Sequence, residues 1–377
     1  MKLSQWILPF MFFLSLSSIV SPSAMADELH LPLALFRALG YQPFTASHPN
    51  LAQSSLVPNQ TNPGENLPWP VKFQDGSHTI AQNYVNFQDY SNSPYFHKGC
   101  DLRAQGNSDV TAPISGTLEG GYYGYADRPD GSEEKQWKPW NGQTHADPYF
   151  ELAVISDDGY RFELHHIDSE KLPQTTIDAL NRGHTRVIVG TIIGKVNGWA
   201  FQTYDYDHIH YNIYNPEGVP VNPEAFSSKA EVPDHTAPMI HGVYAVAASD
   251  GHTFEIKSGE TVLESVQSLV VATTESRDQD AYVQTTPYLG VKFTKGSAFA
   301  WDFRKILLGP DGKWPNIHAV FADQVTAADG STIENFGQFG RGMFLMKLTV
   351  EPSDHGSFEI TASDTAGNET HFSAILK

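Results

Sequence analysis

Apolar and polar positions alternate in short runs over most of the chain. "GTLEGGYY" at 116–123, "YFELAVI" at 149–155, "YRFELHHI" at 160–167 and "HIHYNIYN" at 208–215 carry either period-two alternation or β-rich composition. Such runs predict strands, because successive side chains of an extended chain point to opposite faces. Asp157-Asp158-Gly159 and Pro216-Glu217-Gly218 supply turn chemistry at the joints. "SEKLPQTTIDALNRG", 169–183, predicts one short helix around 173–181. Residues 121–148, "GYYGYADRPDGSEEKQWKPWNGQTHADP", are polar, aromatic and punctuated by Gly and Pro. They predict a long loop, and long ordered loops tend to carry function.

A second series of short runs opens with "DHTAPMIHGVYAVA" at 234 and continues through "TFEIK", "SLVVATT", "YLGVKFT", "MFLMKLTVE", "SFEITASD" and "ETHFSAIL". Seven or so strands separated by Gly, Asp and Asn turns predict a β-sandwich. The fold expected is therefore mostly all-β: an antiparallel sheet domain with long loops over 70–228, then a sandwich over 234–377. Ahead of both, Lys2, an apolar run from Trp6 to about Val20, and Ala24-Met25-Ala26 have the order of a signal peptide over 1–26, cleaved after Ala26. The apolar run is shorter than the roughly 20 residues of a membrane span. Residues 27–69 predict a helix at 27–40 and a Pro/Asn/Ser/Gln-rich linker, either a propeptide or an element packed on the domain.

Composition changes this picture in two ways. Removing residues 1–26 removes Lys2 and takes the net charge from −19 to −20. That excess argues against nucleic acid or an anionic membrane as the main partner. Cys100 is the only cysteine, so an internal disulfide, a cysteine-based zinc finger and a C-x-x-C redox site are excluded by count. A transition metal would have to be held by histidine and carboxylate. The chain also lacks G-x-S-x-G, a GK[ST] phosphate loop, G-x-G-x-x-G and H-E-x-x-H.

Three histidine sites in the first region stand apart. In "FHKGCDL" His97 and Asp101 are four apart and share a face if extended. In "HIHYN" His208, His210 and Asn212 share one face and Ile209, Tyr211 and Ile213 the other, so the histidines should line an exposed face or a groove. Alone, an H-x-H on a strand is ordinarily a pair of solvated histidines. In "ELHHI" alternation puts His165 with Arg161 and Glu163 on the polar face, and His166 with Phe162 and Leu164 on the other. Cys100, between Gly99 and Asp101, reads as a buried structural thiol.

The order "FHKGCDLRAQGNSDVTAPISGTL", "DDGYRFELHHIDSEKL", "GTIIGKVNG" and "HIHYNIYNPEGVPVNPEAF" resembles the M23, or lysostaphin-type, zinc metallopeptidases. Their pattern runs H-x-G-x-D, a hairpin, a Tyr-x-His segment, a Gly-rich stretch and H-x-H. The resemblance covers roughly 70–226. It implies one zinc ion per chain on His97, Asp101 and His210, and catalytic roles for His208 and His166, with His165 the alternative if the strand bulges. It also implies hydrolysis of peptide bonds, most of all in peptidoglycan stem peptides or cross-bridges, by a secreted or periplasmic enzyme. A non-catalytic wall-binding or hydrolase-activating relative, or a zinc protease acting on proteins, are the alternatives. Leu164 stands where the family has tyrosine, Cys100 replaces an aliphatic residue, and "NGWAFQTYDYDHIH" replaces a short turn. Three ligands fit such chemistry, since a catalytic zinc keeps a fourth position open. "TAP" and "ITASDTAGNET" in the second region resemble bacterial Ig-like domains, where His241, His318 and His355 read as surface or structural residues.

Overall fold

The computed structural model describes residues 66–73, 79–89, 94–127, 133–144, 149–198, 206–277, 282–335 and 342–377. The expected signal segment, the helix at 27–40 and the linker up to residue 65 lie outside the described residues.

The first half is built on a nine-stranded antiparallel sheet. In spatial order its main path runs Ile80–Gln82, Cys100–Arg103, His208–Tyr214, Arg161–His165, Phe150–Ser156, Gly116–Asp127 and Arg186–Val187. Pro220–Val221 pairs with the His208–Tyr214 strand, and Glu133–Pro139 with Gly116–Asp127. The central strand alternates as its sequence predicts. Ile209, Tyr211 and Ile213 are fully buried together with Leu102, Leu152, Val154, Phe162 and Leu164. The opposite face is not open, however. His208 and Asn212 are only 5% and 4% exposed, so of the exposed face or groove expected there, the exposed face is not found. The helix expected around 173–181 is Gln174–Arg182, ended by Gly183 at φ 64°, a left-handed angle that glycine takes without a Cβ penalty.

Part of the loop expected over 121–148 is a hairpin: Gly116–Asp127 pairs with Glu133–Pro139 from Gly121↔Pro139 to Asp127↔Glu133. Tyrosine-rich "GYYGYAD" has the β propensity for this, and cross-strand pairing satisfies backbone groups that a loop would leave to solvent.

The second half holds a two-stranded hairpin of Gln324–Thr326 and Thr332–Glu334 and is built on two larger sheets. One orders Thr253–Ile256, Met239–Ala247, Val266–Thr274 and Phe344–Thr349. The other orders Thr261–Val262, Glu369–Leu376, His355–Ser363, Tyr288–Lys295 and Ala298–Asp302. Val243, Ala245, Leu269, Val271, Met346 and Leu348 of the first belong to one buried cluster with Leu289, Val291, Phe358, Ile360, Ala374 and Leu376 of the second. Alternate residues of each strand thus face inward, as sandwich packing requires.

That core is continuous with the core of the first half. Phe87 and Phe96 meet Phe321 with ring centroids 5.2 and 6.0 Å apart, and Phe96 meets Phe303 at 6.1 Å. Polar contacts fix the register of this joint. Asn83 Nδ2 donates to the Thr285 carbonyl at 2.8 Å, while Asn86 Oδ1 accepts from Thr285 N at 2.9 Å and from its hydroxyl at 3.0 Å.

Candidate metal centre

The register of the sheet assembles the site. Asp101 lies opposite His210, His210 opposite His165, and His165 opposite Glu151. Directly opposed residues share a face, so four polar side chains form one row across four strands. His208 opposes Arg103 and Asn212 opposes Glu163 in the flanking rows. Gly99 lets the chain carrying His97 and Asp101 approach this sheet closely. A Cβ there would lie 2.2 Å from both the Tyr211 carbonyl oxygen and Asn212 Oδ1, far inside van der Waals contact.

His97 reaches the row from the segment before the Cys100–Arg103 strand. Its backbone is tied to the 83–86 turn by Val85 N to His97 O at 2.8 Å and His97 N to Asn86 O at 2.9 Å. The three donor atoms then converge: His97 Nε2 is 2.8 Å from His210 Nδ1 and 3.1 Å from Asp101 Oδ1, and His210 Nδ1 is 2.9 Å from Asp101 Oδ1. His97 Nδ1 lies 3.0 Å from the Asn83 carbonyl. A carbonyl only accepts, so Nδ1 carries the proton and Nε2 turns its lone pair to the cluster, the tautomer a metal ligand needs. Asn83 is itself held by Thr285 of the second half.

The electrostatics suit a cation. Burial pushes His210 down to about 3, the neighbouring His97 acting the same way against the pull of Asp101. Burial also lowers His208, against Asp101. Burial works upward on Asp101, but its contacts with His97, His208 and His210 hold it well below the usual carboxylate range. A neutral His210 and an ionised carboxylate are the protonation states that metal binding demands. His97, Asp101 and His210 are therefore a group that could hold a metal ion.

The two histidines of "ELHH" separate sharply. Arg161–His165 ends as a strand at His165, whose ring sits 5.1 Å from that of His210. Its nitrogens face Glu151 Oε2 at 3.3 Å and Glu163 Oε2 at 3.4 Å. Alternation placed His165 on this face, as found. His166 then takes φ 65°, a left-handed angle uncommon outside glycine. The turn returns its ring to the site, 4.8 Å from His208 and 6.3 Å from His210. Both histidines thus flank the cluster, and neither supplies one of the three converging atoms.

Residues without a motif complete the site. Tyr206 donates from its hydroxyl to Asp101 Oδ2 at 3.3 Å, sets its ring 4.7 Å from the His208 ring at a tilt of 55°, and accepts from His208 Nδ1 at its carbonyl at 2.7 Å. Its ring in turn meets Tyr282 of the second half at 6.4 Å. Tyr206 stands two residues before His208, so the alternation that pairs His208 with His210 also points to it. Arg161 binds Glu163 at 2.6 Å, Glu119 at 2.7 Å and Glu151 at 3.2 Å. Glu151 is the charged position inside the otherwise apolar "YFELAVI", and Glu163 shares the polar face of "YRFELHHI" with Arg161 and His165, which was their signal. Asn83 had none, because it acts through a backbone carbonyl.

No protein-family model and no curated protein matches the chain. Among solved structures the chain is similar to one from the SpoIIQ-SpoIIIAH pore forming complex, at 18% identity over 46% of this chain and 99% of that one, TM-score 0.29. It is also similar to a zinc containing peptidase from Vibrio cholerae, at 14% identity over 42% of this chain and 40% of that one, TM-score 0.27. A third similarity is to the antimicrobial peptidase lysostaphin from Staphylococcus simulans, at 12% identity over 79% of this chain and 92% of that one, TM-score 0.24.

Proposed function

We propose that this chain is an exported zinc metalloendopeptidase of the lysostaphin type that hydrolyses peptide bonds in peptidoglycan stem peptides or cross-bridges. One observation carries the reading: His97, Asp101 and His210 bring three donor atoms to 2.8–3.1 Å of one another with the His208 and His166 rings alongside. A tetrahedron with zinc bonds of roughly 2.0–2.1 Å has edges of about 3.3 Å, so small outward movements seat the ion. Zinc held there would supply Lewis-acid polarisation of the scissile carbonyl and of the attacking water.

The remaining work falls to the chain. Burial keeps His208 neutral, which suits it to accept a proton from the attacking water. Its Nδ1 proton, committed to the Tyr206 carbonyl, leaves Nε2 for that task. His166, across from it, would donate to the developing oxyanion. Tyr206 orients Asp101 and His208 together. On this reading the two-sheet second half is Ig-like and braces the site through Asn83 and Tyr206.

The test is to incubate zinc-loaded mature protein with purified cell-wall sacculi and measure new amine termini. Wild type should release them, and His210→Ala should lose both zinc and release. A zinc-loaded wild type that releases nothing overturns the reading, and wall binding without release would favour the non-catalytic relative.

A further inference from the structure

A second group of carboxylates lies at the junction of the two halves, built from residues that the proposed hydrolysis does not use. Asp234 belongs to the connecting segment. Glu275 follows the Val266–Thr274 strand and exchanges two backbone hydrogen bonds with Gln284. Asp364 opens the turn between the His355–Ser363 and Glu369–Leu376 strands. Each offers an oxygen within 4.8 Å of the others.

The partners of these oxygens are unequal. Asp364 Oδ1 accepts from Gly367 N at 2.6 Å and Asn368 N at 2.8 Å, and Oδ2 accepts from Asn368 Nδ2 at 2.6 Å. Asp234 Oδ1 accepts from Thr236 N at 3.1 Å. Asp234 Oδ2 has no hydrogen bond, with Arg277 Nη1 3.7 Å away. Glu275 is 1% exposed, and neither of its carboxylate oxygens has a hydrogen-bond partner. An ionised carboxylate costs several kcal/mol to bury without compensation, so such a side chain calls for a partner.

Protein charge does not supply it. Arg277 donates to Glu224, and Lys229, which lines the adjoining cleft, gives its ammonium to the Thr365 carbonyl at 2.9 Å. Two cations against Glu224, Asp234, Glu275 and Asp364 leave an excess of two negative charges if all ionise. Burial raises Asp234 to about 6 and Glu275 well above the usual carboxylate range, the neighbouring carboxylates adding to it against the pull of Arg277.

We infer that Asp234, Glu275 and Asp364 form a calcium site that ties the connecting segment to the end of the sandwich. The donors are all oxygens, the set that hard cations select. Calcium bonds of about 2.3–2.6 Å let one ion reach oxygens up to about 5 Å apart, which the 4.8 Å limit satisfies. Bidentate Glu275, Asp234 Oδ2 and the remaining lone pair of Asp364 Oδ2 give four ligands. Water would complete the shell from a cleft of about 210 Å³ lined by Glu224, Asp234, Thr365 and Trp69. The site is distinct from the histidine cluster and holds whether or not that cluster hydrolyses peptides.

The test uses calcium alone. Calorimetric titration of the full mature chain, with bound calcium counted by mass spectrometry of the metal, should give one ion per chain and a rise in melting temperature. His210→Ala should bind it as wild type does. Glu275→Gln, which keeps shape and removes charge, should weaken binding at least tenfold, and Asp364→Asn likewise. Weak calcium modules bind at roughly 0.1–1 mM, so no uptake by wild type at about 10 mM overturns the inference. A calcium response unchanged in both variants overturns it as well.

Discussion

His166 stands at φ 65°, and that one angle decides which of two adjacent histidines meets His208. Strict alternation would have sent its ring into the apolar face with Phe162 and Leu164. The two residues should therefore fail differently. His166→Ala and His208→Ala should keep the metal and lower turnover by roughly 10²–10⁴-fold, the usual worth of general acid–base groups. His165→Ala should unfold more readily, because it leaves Glu151 and Glu163 facing each other without the imidazole. Metal content and thermal melts beside turnover separate these outcomes. Tyr206→Phe removes only the hydroxyl that reaches Asp101. Lost support of a ligand typically costs about 10–100-fold in metal affinity or activity, and a zinc titration of a normally folded variant would read it.

At the scale of elements, the strands were legible wherever a run was long and regular. "HIHYNIY" kept its period of two over seven residues, so its apolar set and the pairing of His208 with His210 could be read in advance. What could not be read was the burial of the polar face, where residues distant in sequence such as His97 and His166 meet His210 and His208, nor the hairpin inside 121–148, where Gly and Pro masked β-forming tyrosines. The row from Asp101 to Glu151 depends on register between strands far apart in sequence, which no single run encodes. That row carries a pH dependence. Burial and the charge of Glu163 raise Glu151 to about 7, against the pull of His165 and Arg161, while Glu163 stays well below the usual range through His165 and Arg161 despite its own burial. The folded chain thus holds the Glu151 proton above the unfolded value of 4.5. Its stabilising contribution is complete below that value and is lost as pH rises towards 7. Glu151→Gln, still able to accept from Arg161, should gain melting temperature relative to wild type between about pH 5 and pH 8. A difference that stays flat across that range would show the proton is not held there.

For the whole molecule, the joint between the halves is part of the site rather than a hinge. Thr285 holds the Asn83 that orients His97, and Tyr282 backs the Tyr206 that reaches Asp101. A chain ended at Ser228 should therefore show weakened zinc binding as well as exposed Phe87 and Phe96. Metal affinity and dye binding measured on the truncated and full chains would show whether the second half is dispensable. The same joint sets an order of events during synthesis. Phe96 leaves the ribosome 225 residues ahead of Phe321, a delay of about 10–45 s at 5–20 residues per second. Throughout that interval an aromatic surface waits for its cover. Chaperone capacity should therefore govern the yield of this protein, with slow translation of the second half lowering it.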